Sequence, residues 1–234
     1  MTALEELRGG LVVSCQPLPD EPDDPFGHPQ LQSAMAAAAV AGGAVGIRAN
    51  GPADIAAIVA RVPVPVIGLW KRGAWRGGTR VTITPTAEDA VAVARAGAAI
   101  IAVDATARPR PDGATFATTV AAVHARTDAL VLADVATAAE AEAAVDAGAD
   151  AVASTLSLFR PGPVPGGPDF DTLRELVERV DVPVVAEGRF RTAPELERAF
   201  ALGAHAVVVG NAITSPLALT RRLAAAPPAA ATRP

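Results

Sequence analysis

The sequence has little aromatic content, one cysteine and one lysine, and each scarcity excludes a class of protein or site. Aromatic residues make up 3% of the 234 residues and tyrosine is absent, so the chain cannot supply the stacking platform that single-stranded nucleic acid requires. A net charge of −5 and a pI near 5.2 also argue against a polyanionic partner. Cys15 is the only cysteine, which excludes an intramolecular disulfide and a zinc site made of cysteines.

Long apolar runs and histidine clusters are missing as well. Glycine, proline and charged residues interrupt every stretch that approaches the ~20 apolar residues of a membrane span. Glu5 and Glu6 stand where a secretory signal would carry positive charge and then an apolar run. His28, His124 and His205 are scattered along the chain, which disfavours a histidine-ligated metal centre. We therefore expect a cytoplasmic protein with no membrane, nucleic-acid or metal partner.

The chain does contain a repeated alternation of short apolar runs and alanine-rich amphipathic stretches. The apolar runs occur at 11–15, 44–47, 64–69, 99–103, 129–133, 151–153, 182–186 and 206–209. The amphipathic stretches lie at roughly 29–42, 53–61, 87–96, 114–126, 138–147, 169–179, 194–202 and 216–224. Uninterrupted valine, isoleucine and alanine are typical of parallel strands buried on both faces. Capping residues such as Thr86 and Thr137 precede predicted helices, and Gly97, Gly148 and Gly203 follow predicted helix ends.

Eight strands that alternate with eight helices predict an α/β protein, and eight such units can close a (β/α)8 (TIM) barrel. An open doubly wound sheet is the alternative, because the number of strands is inferred. The length, just under the ~250 residues typical of the barrel, favours one domain over residues 1–224. Residues 225–234 are predicted to be a disordered tail. The loops at 72–85 and 155–168 are longer than usual and follow strand ends, where barrel active sites form.

Polar side chains stand unusually often at the carboxyl ends of the predicted strands. They are Gln16, Arg48, Lys71, Asp104, Asp134 and Glu187. In a barrel these ends converge on one mouth, and charged groups are costly to bury there unless they are paired. The set predicts a binding or catalytic site. Structural ion pairs below the rim, such as Arg48 with Asp134, are the alternative.

Lys71 is distinctive because the chain otherwise uses arginine for positive charge. Lysine and arginine together number 20, and Lys71 is the only lysine. Arginine stays protonated, whereas burial and nearby cations can lower the pKa of a lysine amine from its ordinary ~10.4. Lys71 is therefore the candidate for proton transfer, with a phosphate contact or chance placement as alternatives.

Glu187 ends a buried strand and is the candidate counterpart of Lys71. A lysine and a glutamate on opposite walls could act as the acid and base of a proton transfer next to a carbonyl. Glu187 could instead be a salt-bridge partner.

A phosphate-binding site is expected in the segments that follow the seventh and eighth strands, where this fold usually binds phosphate. Glycine at these places lets backbone N–H groups face an anion ahead of a short helix. The predicted phosphate-binding residues are Gly188, Arg189, Gly210 and Asn211.

Nine segments, taken together and in order, resemble the N-acetylmannosamine-6-phosphate 2-epimerase family. They are GLVVSCQPLPDEP, GAVGIRANG, VPVIGLWKR, VTITPT, IIAVDATARPRPDG, LVLADVATAAEA, GADAVASTLS, VPVVAEGRF and AVVVGNAIT. The similarity covers roughly residues 8–222. It implies a barrel enzyme that interconverts N-acetylmannosamine 6-phosphate and N-acetylglucosamine 6-phosphate in amino-sugar and sialic-acid degradation. It also implies no metal or organic cofactor, and commonly a homodimer.

The resemblance further implies roles for individual residues. Lys71 and Glu187 correspond to the catalytic pair, and Gln16, Arg48 and Asp134 correspond to substrate-contacting positions. We add Asp104 and Ser154 to the predicted substrate contacts. We expect Lys71, partly neutral through burial and the proximity of Arg48, to exchange the C2 hydrogen while Glu187 assists.

The chain departs from the family pattern at three places. Family members usually carry Arg-Pro after the eighth strand, where this chain has Ser215 and Pro216, so a cation near the expected phosphate is lost. The family's TLSG-Tyr-Thr stretch is TLSLFRPG here, which brings in Arg160, and Val81 replaces a tyrosine. We hypothesise that Arg160 or Arg189 compensates for the missing charge.

Two other functions stay open from the residues alone. One is a phosphate-binding barrel enzyme in which Lys71 forms a Schiff base, as in aldolases. The other is a sugar-phosphate sensor without catalysis, which could dispense with Lys71 or Glu187, although both are present.

Overall fold

The fold is a closed barrel of eight parallel strands, seen in a computed structural model that describes residues 1–18, 21, 23–73, 80–160 and 162–225. The strands are β1 (Gly10–Cys15), β2 (Gly46–Asn50), β3 (Val66–Leu69), β4 (Ile100–Asp104), β5 (Leu130–Asp134), β6 (Ala151–Ala153), β7 (Val184–Glu187) and β8 (Ala206–Val209). Each strand pairs in parallel with the next, and β8 pairs with β1, which excludes the open sheet. The predicted (β/α)8 barrel is confirmed. The predicted tail, apart from Ala225, lies outside the described residues.

Helices follow the strands and cover the barrel. They are α1 (Ala3–Leu7), α2 (Pro29–Ala41), α3 (Pro52–Val59), α4 (Ala87–Arg95), α5 (Phe116–Arg126), α6 (Ala138–Asp146), α7 (Phe170–Arg179), α8 (Ala193–Ala201), α9 (Asn211–Thr214) and α10 (Pro216–Ala224). The side chains of Thr86 and Thr137 accept from the backbone N–H groups of Asp89 and Glu140, as their capping role predicts. Among the described helices, none combines the length and apolar character needed to cross a bilayer.

Four of the eight strands, β2, β4, β5 and β7, extend further toward their carboxyl ends than the apolar runs indicate. The second run, for example, is predicted at 44–47, whereas β2 covers Gly46–Asn50 and includes Arg48. Backbone pairing continues because Arg48 is opposite Ile67 and Asn50 is opposite Leu69 on the next strand. Polar residues stay in the ladder here because their side chains find partners at the barrel mouth.

Alternation along the strands divides the core into an interior and a surrounding layer. The interior is filled mainly by small aliphatic residues: Val12, Ile67, Leu69, Ile100, Ala102, Leu132, Ala151, Ala153, Val185, Ala206 and Val208. The intervening strand residues, such as Cys15 and Ile101, pack against the helices. Cys15 therefore faces the helix layer, as predicted, and burial raises the pKa of its thiol to about 12, which leaves it unreactive at neutral pH.

Helix α1 closes the amino end of the barrel and was not predicted from the sequence. Thr2 and Glu5 form a reciprocal capping box that begins the helix. Leu7 is fully buried in the barrel interior, and a Cβ at Gly46 would lie 2.4 Å from its Cδ2 atom. Glycine at the start of β2 thus makes room for Leu7. The Nε2 atom of His205 is 2.7 Å from the carbonyl oxygen of Leu4, so this histidine holds α1 at the end opposite the mouth.

Candidate active site

A cavity of about 290 Å³ opens at the carboxyl end of the barrel. Its lining consists of Ser14, Gln16, Pro17, Lys71, Glu187, Gly188, Arg189, Phe190, Arg191, Val208, Gly210, Asn211 and Ala212. The structure therefore brings together Gln16, both predicted catalytic residues and all four predicted phosphate-binding residues. Two surface depressions, of about 620 and 700 Å³, are larger. Both lie at the amino end of the barrel, where the first residues of strands and the last residues of helices line them. Barrel active sites lie at the carboxyl end, so the smaller cavity is the candidate site.

Lys71 lies two residues beyond Leu69, and alternation along β3 places both on the interior side. Its backbone N–H donates to the Oδ1 atom of Asn50 at 2.8 Å. Its other backbone neighbour is Ile83, with which it forms an antiparallel bridge. Lys71 and Glu187 line the same cavity, and the positive charge of Lys71 lowers the pKa of Glu187. The two residues thus interact electrostatically across the mouth.

Arg48 connects two carboxylates beneath the cavity. Its Nη2 atom lies 2.6 Å from Asp134 Oδ2, and its Nη1 atom donates to Glu187 Oε2. The side chain of Arg48 is 1% exposed and that of Asp134 is 0% exposed, so both charges are removed from water. The Arg48–Asp134 ion pair considered from the sequence is present, and it also includes Glu187. Burial alone would lower the pKa of Arg48, but the charges of Asp134 and Glu187 raise it above its ordinary value.

The protonation of Glu187 is governed by opposing influences. Burial raises the pKa of this carboxyl group, and the negative charge of Asp134 raises it further. The charges of Arg48 and Lys71 oppose the shift, and the net direction is upward. Raised pKa values bring a carboxyl group closer to neutral pH, where it can exchange protons, and such shifts are concentrated at functional sites.

Thr155 joins this network and was missed in the sequence. Its hydroxyl donates to Asp134 Oδ1 at 2.7 Å and lies 3.2 Å from Glu187 Oε2. It also accepts from Nη1 of Arg48 at 3.2 Å. The residue directly follows Ser154 at the end of β6, but it belongs to an unpredicted 3₁₀ helix, Ser154–Phe159. Only its position next to a strand end could have indicated its role.

Ser154 and Asp104 make their hydrogen bonds within the protein. The Ser154 hydroxyl donates to the carbonyl of Glu187 at 2.9 Å and accepts from its N–H at 3.0 Å, which fixes the end of β7. Asp104 accepts from Arg108 Nη2 at 2.5 Å and from the Thr106 hydroxyl at 2.7 Å. Burial raises the pKa of Asp104, against the influence of Thr106 and Arg108. Neither residue lines the cavity, and substrate contact by either stays a prediction.

The side of the cavity expected to bind phosphate carries two arginines. Gly188 and Arg189 adopt successive positive φ angles of 115° and 64°, so the backbone turns sharply after Glu187. The Nε atom of Arg189 donates to the carbonyl of Gly167 at 2.7 Å. Arg191, which is not among the predicted phosphate-binding residues, also lines this wall.

Arg160 does not line the cavity, although it is one of the two arginines of the compensation hypothesis. Its Nη1 atom lies 3.2 Å from both carboxylate oxygens of Asp169 and 3.0 Å from the Thr172 hydroxyl, at the start of α7. Of the two residues in that hypothesis, the geometry therefore favours Arg189.

The closed parallel barrel and the charged cavity at its carboxyl mouth define the class of (β/α)8-barrel enzymes. Residues 32–227 match the family model described as "Putative N-acetylmannosamine-6-phosphate epimerase". The chain belongs to this family. Two similar relatives bear the name "Putative N-acetylmannosamine-6-phosphate 2-epimerase". One, from Cutibacterium acnes, is 43% identical over 93% of each chain, and the other, from Enterobacter sp., is 45% identical over 96% of this chain and 95% of its own.

Solved structures agree with this assignment. The N-acetylmannosamine-6-phosphate 2-epimerase from Clostridium perfringens superposes with a TM-score of 0.88, at 38% identity and 96% coverage of both chains. A thiamine phosphate pyrophosphorylase from Pyrococcus furiosus has a TM-score of 0.60 at 16% identity, so it shares the fold alone.

Proposed function

We propose that this protein epimerises C2 of N-acetylmannosamine 6-phosphate to give N-acetylglucosamine 6-phosphate, with Lys71 and Glu187 as the catalytic pair. Membership of the epimerase family supports the reaction. The observation that carries the residue assignment is that Lys71 and Glu187 line one cavity at the carboxyl mouth. The family resemblance supports catalysis without a metal or organic cofactor.

Inversion at C2 requires that a proton leave the carbon from one face and that a proton be added to the other. The C2 hydrogen is only weakly acidic, so negative charge that develops beside the neighbouring carbonyl has to be stabilised. The Lys71 amine is the proposed group that takes the proton from one face of C2, and a proton is then delivered to the opposite face either by Lys71 itself or by Glu187. Glu187, whose pKa is raised by burial, assists or handles hydroxyl protons, while Arg48 supplies fixed positive charge beneath it.

Proton NMR of N-acetylmannosamine 6-phosphate incubated with the protein in heavy water tests this proposal. We expect signals of N-acetylglucosamine 6-phosphate to appear and solvent deuterium to accumulate at C2, because the abstracted proton exchanges with solvent. Interconversion without deuterium at C2 would contradict the mechanism and point to redox or aldol-type chemistry. Absence of interconversion would contradict the proposed function and favour a sensor.

A Schiff base at Lys71 is the competing chemistry for the same cavity. It would form a covalent bond between the amine nitrogen and a substrate carbonyl carbon, with loss of water. Borohydride would reduce that adduct to a stable secondary amine on Lys71. Proton transfer by a free amine predicts no such adduct, so mass spectrometry of the borohydride-treated protein separates the two.

We further propose that Arg189 and Arg191 bind the substrate phosphate, together with Gly188, Gly210 and Asn211. Both arginines line the wall formed after β7 and β8, where this fold usually binds phosphate. Their cations would replace the arginine whose position is occupied by Ser215. Each arginine also donates to a backbone carbonyl of the neighbouring loop, Arg189 to Gly167 and Arg191 to Gly166, which orients it.

Arg189→Ala and Arg191→Ala are each expected to raise KM for the phosphorylated sugar by about 10-fold to 100-fold. A hydrogen bond to a charged group contributes about 1.5–3 kcal/mol, which corresponds to that range. Arg160→Ala is the comparison variant, because Arg160 carries the same charge but lies outside the cavity wall. KM is measured from initial rates for all three variants. An increase in KM confined to Arg160→Ala would contradict the assignment of Arg189 and Arg191 to phosphate binding.

A homodimer in the cytoplasm is also proposed, on the strength of the family resemblance and the sequence composition. Light scattering coupled to size-exclusion chromatography measures the oligomeric state directly.

A further inference from the structure

A short segment, Val81–Thr84, is inserted between the carboxyl ends of β3 and β4. These strands pair with each other only through Ile67 with Ile100 and Gly68 with Ile101. Beyond that point the inserted segment supplies the hydrogen bonds. The N–H of Thr84 donates to the carbonyl of Trp70 at 2.8 Å, and the N–H of Asp104 donates to the carbonyl of Ile83 at 3.1 Å.

The Thr84 side chain spans the gap that the insertion creates. Its hydroxyl accepts from the N–H of Trp70 at 3.1 Å, on the β3 side. It donates to the carbonyl of Ala102 at 2.6 Å, on the β4 side. The Thr84 hydroxyl therefore takes the place of a direct hydrogen bond between β3 and β4. It does so at Trp70, the residue immediately before Lys71. Thr84 is fully buried, so water does not compete for these bonds.

The backbone of Thr84 is held in an unfavourable conformation to achieve this. Its φ angle is +47°, in the left-handed region that β-branched residues rarely adopt. Pro85 follows, and a residue before proline normally prefers extended backbone. Such a conformation persists only when the surrounding contacts require it, and it is concentrated at functional sites.

We propose that Thr84 is a positioning residue that sets the placement of Lys71 in the cavity through its hydroxyl bond to Trp70. The proposal rests on the proposed function, because it requires Lys71 to transfer the proton. Lys71 itself is held by Asn50 through its N–H and by the bridge to Ile83. Loss of the Thr84 hydroxyl would leave the Trp70 N–H and the buried Ala102 carbonyl without this partner. Trp70, the residue before Lys71, would then keep the bond from the Thr84 N–H to its carbonyl but lose the bond at its own N–H. The amine would then lie displaced from the C2 hydrogen.

The test compares Thr84→Val with Thr84→Ser and with a matched control, Thr82→Val. Thr82 lies two residues away in the same segment and is also buried, but its hydroxyl has no hydrogen-bond partner among the described residues. The same threonine-to-valine change therefore removes two hydrogen bonds at one position and none at the other. Initial rates with N-acetylmannosamine 6-phosphate give kcat and KM for each protein, and thermal denaturation gives its Tm.

Thr84→Val is expected to lower kcat by about 100-fold with KM within about threefold of wild type, since a displacement near 1 Å can cost that much. Thr84→Ser keeps the hydroxyl and should restore most of kcat, and Thr82→Val should match wild type. A kcat for Thr84→Val equal to that of Thr82→Val would overturn the proposal. Equal losses in Thr84→Ser and Thr84→Val would also overturn it, because the hydroxyl would then be irrelevant.

A second variant covers the case in which Thr84→Val does not fold. Thr84→Ala lacks the hydroxyl and the extra methyl bulk, and it should show the same loss of kcat at unchanged KM. If neither variant folds, the hydroxyl supports the barrel as a whole, and the specific role toward Lys71 is overturned. An inactive wild type would instead remove the proposed function, which the heavy-water experiment detects independently of any Thr84 variant.

Discussion

Lys71→Met is expected to lower kcat by about 10²–10⁴-fold, the range in which a positioned acid–base group contributes to catalysis. Lys71→Arg should lose nearly as much, although it preserves the positive charge, because a guanidinium does not release its proton at neutral pH. In heavy water, the rate of deuterium incorporation at C2 should fall in both variants. It should fall by the same factor as kcat. Proton NMR with N-acetylmannosamine 6-phosphate follows both quantities in one sample.

Arg72→Met is the matched control for Lys71. Arg72 is the next residue, its side chain is 52% exposed, and its guanidinium stacks on Trp70 at 4.4 Å. Removing this neighbouring cation changes the local charge without touching the cavity lining, so kcat should stay within a few-fold of wild type. Retention of activity by Lys71→Arg would show that the residue contributes charge rather than a transferable proton, and the proposed mechanism would fail.

Arg48→Met should destabilise the fold by about 3–5 kcal/mol, because it leaves two carboxylates beneath the cavity without their common cation. Asp134 is 0% exposed and Glu187 is 16% exposed, so water cannot replace the lost interaction at Asp134. For a chain of this size, about 2–4 °C of Tm corresponds to 1 kcal/mol, so Tm should fall by roughly 6–20 °C. Activity should fall as well, since Arg48 holds Glu187 in place.

The loss of stability caused by Arg48→Met should depend on pH. The pKa of Glu187 is already raised in the folded protein, and loss of Arg48 removes an influence that lowers it. A carboxyl group whose folded pKa is raised favours the folded state at low pH and loses that advantage as pH rises through the folded pKa. The difference in Tm between Arg48→Met and wild type should therefore shrink as the pH is lowered toward 5.

Two variants separate this explanation from a general loss of packing. Arg179→Met removes an arginine that is 57% exposed from its pair with Glu142, and an exposed pair contributes at most about 1 kcal/mol. Arg48→Met combined with Asp134→Asn removes a buried charge that would otherwise be unpaired, so it should be more stable than Arg48→Met alone. Equal Tm values for the single and double variants would show that buried charge is not the cause.

The fold could be predicted almost completely because its signals are local and repeated. Each strand is built around a short run rich in valine, isoleucine and alanine, and several helices have their own capping signal, as at Thr86 and Thr137. Helix α1 could not be predicted in this way. Its five residues are too few for a periodic pattern, and Leu7 is buried only because Gly46 leaves space for it.

The main residues of the candidate site could be predicted from the sequence. The hydrogen bonds and ion pairs between them could not. Lys71 stands out because it is the only lysine, and Glu187 because it ends an apolar run. Thr155 and Thr84 have no comparable signal. Thr155 reaches Asp134 from 21 residues away and Glu187 from 32, and no pattern in the chain encodes which hydroxyl will face which carboxylate.

Sequence alone predicted the alternation of eight strands with eight helices, the resemblance to the epimerase family, and the residues that stand at the strand ends. Periodicity and residue type are properties of the chain itself, so they can be read before folding. Only the tertiary structure decided that Arg48 joins Asp134 to Glu187, that Arg191 rather than Arg160 lines the cavity, and that Ser154 holds the backbone of Glu187. These are contacts between distant segments, and closure of the barrel determines which side chains meet.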